Sequence, residues 1–232
     1  MTVQPDSLAG RLEAVRAGVA EATTDAGRRL DEVTLIVVTK FHPQSVVREL
    51  HALGVRDFGE NRHQDAAPKA AALSDLNLTW HFVGQLQSKK TKAVLEYSRV
   101  IHSVDRTSIV DAINAATSYE AAPPVDVFIQ LNLTDDTGRG GVNPADVESL
   151  TERVLQSGRI RLAGVMAVAP LGVDPRGAFA AVRATSEKVR SIAPQATALS
   201  MGMSADYRDA ILEGATHLRI GTAITGNRPN PG

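Results

Sequence analysis

Short runs of hydrophobic residues alternate with amphipathic segments along almost the whole chain. The runs are rich in β-branched side chains and too short for a buried helix, which is typical of strands buried on both faces. The pattern predicts eight strands, at residues 35–40, 57–61, 79–84, 100–104, 125–132, 162–168, 198–201 and 218–221.

Apolar residues recur at helical spacing in the segments between these runs. They predict helices at residues 43–53, 62–73, 88–97, 107–116, 144–156, 175–192 and 206–213. Pro43, Pro144 and Pro175 are each expected in a first helical turn, where proline is tolerated. A further helix, at residues 7–30, precedes the first strand.

The regular alternation of strand and helix predicts an α/β protein. Eight strands, each but the last followed by a helix, indicate a closed parallel (β/α)₈ TIM barrel with an extra N-terminal helix. Residues 1–232 are expected to form one domain, with 227–232 as a polar tail. The alternative is an open doubly wound sheet. No GxGxxG sequence follows the first strand, which disfavours its dinucleotide-binding version.

Composition narrows the class of protein. The chain has 25 basic and 26 acidic side chains, so no basic excess favours nucleic acid or an anionic membrane as a partner. It has no cysteine, which excludes disulfides, thiolate catalysis and cysteine metal ligands. The N-terminus lacks the pattern of a signal peptide, and no apolar run reaches the roughly 18 residues of a membrane helix. We therefore expect a cytoplasmic protein, and a monomer.

Lys40 closes the first hydrophobic run, just before Phe41. A lysine at the exit of a buried strand is expected to lie half in apolar protein and half in a cleft. Desolvation there disfavours the ammonium and lowers its pKa, which gives the nucleophilic amine that forms a Schiff base with an aldehyde or ketone. The alternative is a lysine that merely extends its charge into water from the strand end.

The last two strands are followed by residues suited to phosphate. In a TIM barrel the carboxyl ends of the strands build the active site, and phosphate often binds after strands seven and eight. Ser200 and Ser204 follow the seventh predicted strand, and Gly221 and Thr222 end the eighth. Hydroxyls and free N–H groups beside glycine suit an oxyanion. The alternative is an ordinary strand-to-helix turn with Ser204 as a helix N-cap.

Three further polar residues lie within or at the ends of predicted strands. Arg219 interrupts an apolar strand and needs a partner, either a barrel carboxylate or a ring nitrogen or anion in the barrel mouth. His81, between two aromatic residues, indicates a satisfied core side chain rather than a base. Asn61 is either a turn residue or a donor to a ligand beside Lys40.

Two loops carry charge. The segment 134–141 combines Asp135 and Asp136 with glycines, which favours a solvated loop or lid over a metal site because neighbouring side chains diverge in an extended chain. We predict no metal site. The basic segment 88–92 is interpreted as a solvated helix face rather than an anion site.

A Schiff-base lysine, a phosphate site and an arginine for a ring nitrogen together describe pyridoxal 5′-phosphate. Five segments carry a resemblance that supports this cofactor: 37–40, 58–61, 81–87, 199–206 and 219–224. Through them the chain resembles the pyridoxal phosphate homeostasis proteins, single-domain barrels similar to the barrel half of alanine racemase.

The resemblance implies a role for each of eight residues. Lys40 would carry the cofactor as an internal aldimine. The phosphate would be held by Ser200, Ser204, Gly221 and Thr222, while Asn61 and Met203 line the site and Arg219 meets the pyridine nitrogen. The chain departs from the family at 137–141, where a lysine-containing loop is usual, and also at 41–43 and 88–90.

The expected function is to hold the cofactor, limit its free concentration and deliver it to apo forms of pyridoxal-phosphate enzymes. A guanidinium beside the pyridine disfavours its protonation, which weakens the ring as an electron sink. A racemase also needs an acid–base group on the opposite ligand face, which alanine racemases obtain from a tyrosine of a second domain. Tyr97, Tyr119 and Tyr207 are not predicted at the mouth. The alternatives are a pyridoxal-phosphate-dependent amino-acid racemase and an aldolase-like barrel.

Overall fold

The eight strands close into a parallel barrel in chain order. The computed structural model describes residues 4, 6–117, 123–134, 136 and 138–228. The strands are β1 (Thr34–Val38), β2 (Asp57–Glu60), β3 (Thr79–Phe82), β4 (Val100–Val104), β5 (Val125–Gln130), β6 (Ile160–Met166), β7 (Ala198–Ser200) and β8 (His217–Ile220). Because β8 pairs with β1, with Ile36 opposite Arg219, the predicted barrel is confirmed and the open sheet is excluded.

Helices follow the strands on the outside of the barrel. They are α1 (Leu8–Asp25), α2 (Gln44–Ala52), α3 (His63–Ala72), α4 (Thr91–Val94), α5 (Thr107–Ala116), α6 (Val147–Leu155), α7 (Pro175–Ile192), α8 (Tyr207–Leu212) and α9 (Thr222–Thr225), with 3₁₀ turns at Leu30–Glu32 and Ser88–Lys90. No helix within the described residues has the length and apolar character needed to cross a membrane.

Three predicted helix boundaries are wrong. The first helix ends five residues early, because Gly27 adopts φ +65° and its N–H donates to Thr24 O, which terminates the helix. Pro144 lies before α6 rather than in its first turn, because the Asn143 side chain accepts from Ala145 N (2.9 Å) and stabilises a separate turn. The segment 88–97 contains a 3₁₀ turn and the short α4 instead of one long helix, after which the chain turns back and Ser98 Oγ donates to Trp80 O (2.7 Å).

The apolar core is a layer between the sheet and the helices. Val47 and Leu50 of α2 and Ile109 and Ile113 of α5 are all fully buried in it. The barrel interior is more polar, since His81, His102, Ser200 and Arg219 are buried there on β3, β4, β7 and β8. Helix α1 packs against α8 and α9, and Arg11 Nε donates to Ile224 O (2.7 Å) across that contact.

Gly202, directly after β7, is expected to be intolerant of any side chain. Its φ is +94°, and an added Cβ would lie 2.6 Å from the Cβ of Ala210. Because both the backbone strain and the overlap oppose it, Gly202→Ala should lower the free energy of unfolding by about 3 kcal/mol in urea denaturation. Gly158→Ala is the matched control, since nothing lies within 4 Å of its added Cβ. Equal losses in the two variants would contradict this explanation.

Candidate functional site

Lys40 lies in the turn that follows β1, at the carboxyl end of the barrel. The strand ends at Val38, two residues earlier than predicted, and Lys40 is exposed. The expectation of a half-buried lysine is therefore wrong. Its Nζ lies 6.0 Å from the centroid of the Phe41 ring and makes no hydrogen bond or ion pair with the described residues. Phe41 has φ +69°, which is rare for an aromatic residue, and Arg228 lies over its ring at 4.2 Å.

A buried ion pair fixes the residue before Lys40. Lys69 Nζ, from α3, donates to Glu60 Oε1 (2.5 Å) and to the carbonyl oxygen of Thr39 (2.9 Å). The Thr39 hydroxyl donates to the same Glu60 oxygen (2.8 Å). All three side chains are buried. The hydrophobic pattern does not predict this cluster, and the only indication of it in the sequence is a lone lysine within the alanine-rich segment 66–72.

Hydroxyl and amide groups from the ends of β7 and β8 meet at the same mouth. Ser204 Oγ accepts from Ala223 N (3.2 Å) and from the Thr222 hydroxyl (3.3 Å). Gly221 lies beside the end of β1, since a Cβ added to it would lie 3.4 Å from Val38 O. The structure thus brings Ser204 and Thr222 together, with Gly221 next to Thr222 in the chain.

Ser204 is not the N-cap of the following helix. Helix α8 begins at Tyr207 after Asp206, whose carboxylate accepts from Met203 N (2.6 Å). The alternative prediction, that this segment is an ordinary turn with Ser204 as the N-cap of the helix, is therefore wrong about Ser204. Met203 lies in the same loop, between Gly202 and Ser204.

Ser200 has different surroundings from those expected. It is fully buried inside the barrel, where its Oγ accepts from Arg219 Nη1 (2.7 Å) and lies 2.8 Å from His102 Nδ1. Both neighbours engage the hydroxyl, so it is not free in the way that a phosphate donor would need. Its hydroxyl is not part of the Ser204 cluster.

Arg219 has neutral partners rather than a carboxylate. Besides Ser200, it donates from Nη2 to Ala167 O (2.9 Å), and no described carboxylate lies within ion-pair distance of it. Burial lowers the pKa of Arg219 to about 10, although the negative charge of Asp206 acts to raise that pKa. The arginine remains charged at neutral pH, and the structural ion pair considered from the sequence is absent among the described residues.

His81 is a satisfied core residue, as predicted. Its Nε2 lies 3.0 Å from Asp57 Oδ1, and its Nδ1 lies 3.0 Å from His102 Nε2. His102, which the sequence analysis missed, is fully buried and stacks on Phe128 with ring centroids 4.3 Å apart. Burial, and then the charges of His81, Arg219 and His217, hold the pKa of His102 well below its ordinary value.

His217 should make stability depend on pH. Burial lowers its pKa from 6.5 to about 4, so the folded protein holds it neutral while the unfolded chain binds a proton below about pH 6.5. Stability is therefore fully present above that pH and is lost as the pH falls toward 4. Between about pH 7.5 and about pH 5, this residue should reduce the free energy of unfolding by roughly 2 kcal/mol. Urea denaturation of His217→Gln should show a smaller pH dependence, and an unchanged one would contradict the assignment.

Asn61 follows β2 and has an unused acceptor. Its Oδ1 is buried and has no hydrogen-bond partner among the described residues. Its backbone packs closely against the segment that follows β3, since a Cβ at Gly84 would lie 2.0 Å from Asn61 O. With Gln85 and Lys90 it lines a cavity of about 200 Å³.

The described part of the loop after β5 is anchored to the barrel. Gln130 Nε2 donates to Gly140 O (2.9 Å), and Gly141 N donates to Asp105 Oδ2 (3.2 Å). Asp135 and Thr137 lie outside the described residues, so a lid remains a prediction. In the basic segment, the lysines at 89, 90 and 92 are exposed, which agrees with a solvated face.

The two described tyrosines make their contacts outside the Ser204 cluster at the barrel mouth. Tyr207 packs against α1, since its hydroxyl would lie 2.2 Å from a Cβ at Gly18. Tyr97 stacks on His63 with ring centroids 6.0 Å apart, and burial raises its pKa, as does the charge of Glu60. Tyr119, the third tyrosine, lies outside the described residues.

Comparisons with known proteins agree with this arrangement. The family described as "Alanine racemase, N-terminal domain" matches residues 11–229. The pyridoxal phosphate homeostasis protein of Pseudomonas aeruginosa is 40% identical over 222 residues, covering 96% of each chain. That of Escherichia coli K12 is 35% identical over 229 residues, covering 96% of this chain and 97% of the other.

A solved structure extends the likeness to three dimensions. PipY of Synechococcus elongatus PCC7942, in a structure with pyridoxal phosphate bound, is 35% identical, with a TM-score of 0.84. The match covers 95% of this chain and 100% of PipY. The chain therefore belongs to the family of pyridoxal phosphate homeostasis proteins, and its barrel to the alanine racemase N-terminal domain family.

Proposed function

We propose that this protein holds pyridoxal 5′-phosphate at the carboxyl end of its barrel, bound to Lys40 as an internal aldimine, and thereby controls the free cofactor in the cytoplasm. The observation that carries the proposal is a free primary amine at the same barrel mouth as the hydroxyl cluster of Ser204 and Thr222. PipY, a relative of similar length that binds the cofactor, supports it.

The residues present fit the chemical groups of the cofactor. When bound, it supplies an aldehyde that condenses reversibly with an amine. Lys40 offers an amine with no competing partner among the described residues. Ser204, Gly221 and Thr222 are proposed to hold the phosphate, with Met203 nearby. The buried Asn61 Oδ1, which lacks a partner, is suited to accept from a polar group of the ligand.

Arg219 and Ser200 are proposed to act on the ring side of the site. Arg219 stays charged and can only donate, so it suits an unprotonated pyridine nitrogen. Because the Ser200 hydroxyl is engaged by Arg219 and His102, we propose that it holds the arginine in place instead of contacting the phosphate as the family resemblance implied.

This set of side chains favours a carrier over a racemase. Holding and releasing an aldehyde needs one amine, whereas racemisation needs an acid–base group on each face of the ligand and a strong electron sink. An unprotonated ring is a weak sink, and neither described tyrosine hydrogen-bonds at the mouth. Delivery of the cofactor to apo enzymes is part of the proposal, because an amine of the recipient can displace Lys40.

The test is a visible absorption spectrum of the purified protein with pyridoxal phosphate, before and after borohydride, followed by peptide mass spectrometry. We expect a borohydride-sensitive band and a reduced adduct on Lys40. An adduct scattered over exposed lysines would refute the proposed site. Trapping by a sugar phosphate with no visible band would favour the aldolase-like alternative, and conversion of L- to D-amino acids by the loaded protein would favour the racemase.

Two further expectations belong to the proposal. The chain is expected to act as a single domain over residues 1–232, and as a monomer. Light scattering coupled to size-exclusion chromatography measures the mass of the species in solution, with and without the cofactor. A dimer would contradict the second expectation without affecting the cofactor site.

A further inference from the structure

We propose that a chain of hydrogen bonds across the barrel interior positions Arg219 from the opposite end of the barrel. Its members, in order, are Asp57, His81, His102, Ser200 and Arg219. The first three are positioning residues, which act on the site only through the last two. The effect on a bound cofactor rests on the proposed function, whereas the existence of the chain does not.

The geometry shows that these bonds cross the interior. His102 is on β4 and Ser200 is on β7, which are not neighbouring strands, so the 2.8 Å contact between their side chains spans the barrel. Asp57 is the first residue of β2 and therefore lies at the amino end of the strands. Ser200 is the last residue of β7, and Arg219 is the third of the four residues of β8. The hydrogen-bond chain therefore runs from the amino end of the strands toward the carboxyl end.

The chemistry of the donors gives the chain a single direction. A guanidinium can only donate, so Ser200 Oγ accepts from Arg219, which leaves the hydroxyl proton for His102 Nδ1. Neutral His102 then carries its proton on Nε2 and donates it to His81 Nδ1.

By the same rule His81 carries its proton on Nε2 and donates to the carboxylate of Asp57. Every donor along the path has an acceptor, so this arrangement of tautomers leaves no buried polar atom of the chain unpaired. A cation therefore begins the chain and an anion ends it. The side chain of Asp57 is 31% exposed, so water reaches that end.

The charged and titratable neighbours favour the same arrangement. His102 is surrounded by His81 on β3, by Arg219 and His217 on β8, and by the ring of Phe128 on β5. A second positive charge there would be buried beside Arg219, so His102 stays neutral. Asp57 lies at the end of the hydrogen-bond chain opposite Arg219, where it accepts the hydrogen bond from His81 Nε2.

The consequence is a fixed orientation of the guanidinium. Two of its donors are directed to Ser200 and to Ala167 O, and the others remain for the ligand. The charge of Asp206, which favours the protonated form of Arg219, offers a competing partner. Without the chain, we expect the guanidinium to turn toward Asp206.

The first experiment uses the protein without any cofactor. Nitrogen-15 NMR of the side chains should show a proton on Nε2 of both His81 and His102 and none on either Nδ1. Asp57→Asn removes the terminal charge and Ser200→Ala cuts the chain at the other end. We expect each variant to shift the signals of both histidines and of the Arg219 guanidinium. If Asp57→Asn shifted His81 alone, transmission along the chain would be refuted.

Ser103→Ala is the matched control for Ser200→Ala. Both serines are fully buried, but Ser103 Oγ has no hydrogen-bond partner among the described residues. Circular dichroism verifies that all variants fold. Signals of His81 and Arg219 should be unchanged in Ser103→Ala, and a response equal to that of Ser200→Ala would show that general core disturbance, not the chain, moves them.

The second experiment adds pyridoxal phosphate. Ser200→Ala should weaken binding roughly tenfold, since it frees a buried donor, and should alter the pH dependence of the visible band, which simple loss of packing would not. Asp57→Asn should change that pH dependence in the same direction. If the unsubstituted protein forms no band, the proposed function fails, while the NMR experiment still tests whether the hydrogen-bond chain exists. If the band forms but neither variant alters its pH dependence, the inference fails alone.

Discussion

Replacing Lys40 by alanine is expected to abolish covalent capture of pyridoxal phosphate while leaving the fold intact. The side chain is exposed and makes no hydrogen bond or ion pair with the described residues, so its loss should change the free energy of unfolding by no more than about 0.5 kcal/mol. The visible band and the borohydride-reduced adduct should both disappear, because no other lysine among the described residues lies in the turn after β1. Spectroscopy and peptide mass spectrometry of the variant measure both.

Lys89→Ala is the control for this experiment. Lys89 is also exposed, but it lies on the basic face after β3 rather than in the turn after β1. The control variant should capture the cofactor like the unsubstituted protein. A full adduct in Lys40→Ala would show that another lysine carries the cofactor, and loss of the adduct in both variants would point to a nonspecific effect of removing charge.

Lys69→Met is expected to destabilise the protein by about 3–5 kcal/mol, because it leaves Glu60 charged and unpaired in the interior. Both side chains of the pair are at least nine-tenths buried, at 7% and 1% exposed. The variant also removes the donor to Thr39 O, which holds the residue before Lys40. Urea denaturation measures the stability. A weaker visible band at equal protein concentration would report the disturbed turn.

Two controls separate the buried pair from an ordinary ion pair. In the double variant Lys69→Met, Glu60→Gln no charge remains to be buried, so much of the lost stability should return. Arg48→Met breaks the exposed pair of Arg48 with Asp75, where little or no loss of stability is expected because water screens the two charges. If Lys69→Met cost no more than Arg48→Met, the buried pair would not fix the turn as inferred.

The repeating pattern predicted the barrel because each element is determined mainly by local sequence. Short β-branched runs with helical segments between them leave few alternative topologies. The predicted bounds of α5 and α7 agree with the structure, and α7 begins with Pro175 at its first turn. Where the boundaries failed, as at Asn143, a side chain bonded the backbone and competed with the helix.

Contacts that cross the barrel could not be predicted in the same way. The importance of Lys69 depends on α3 lying against the ends of β1 and β2, which no local pattern encodes. His81 was expected to be satisfied, but its partners Asp57 and His102 come from β2 and β4. Such pairings follow from register, and register was not available before the structure.

The error on Lys40 has the same origin. β-Branched residues continue through Thr39, so the pattern gives no sign of where pairing stops, whereas the last paired residue of β1 with β2 is Val38, opposite Gly59. The sequence pattern does not distinguish the two serines, yet Ser200 belongs to the strand and points into the barrel, while Ser204 belongs to the loop. Strand periodicity separates the two only once the end of β7 is known.

The polar barrel interior limits how this protein can be redesigned. In an aliphatic core, residues of similar volume can often be exchanged one at a time. Here His81, His102 and Ser200 each serve two partners, so a single exchange leaves a buried donor or acceptor unpaired. A library of variants would therefore vary the layer between sheet and helices freely and change the inner residues only as a set. The barrel should therefore tolerate substitutions better between the sheet and the helices than among the polar residues along its axis.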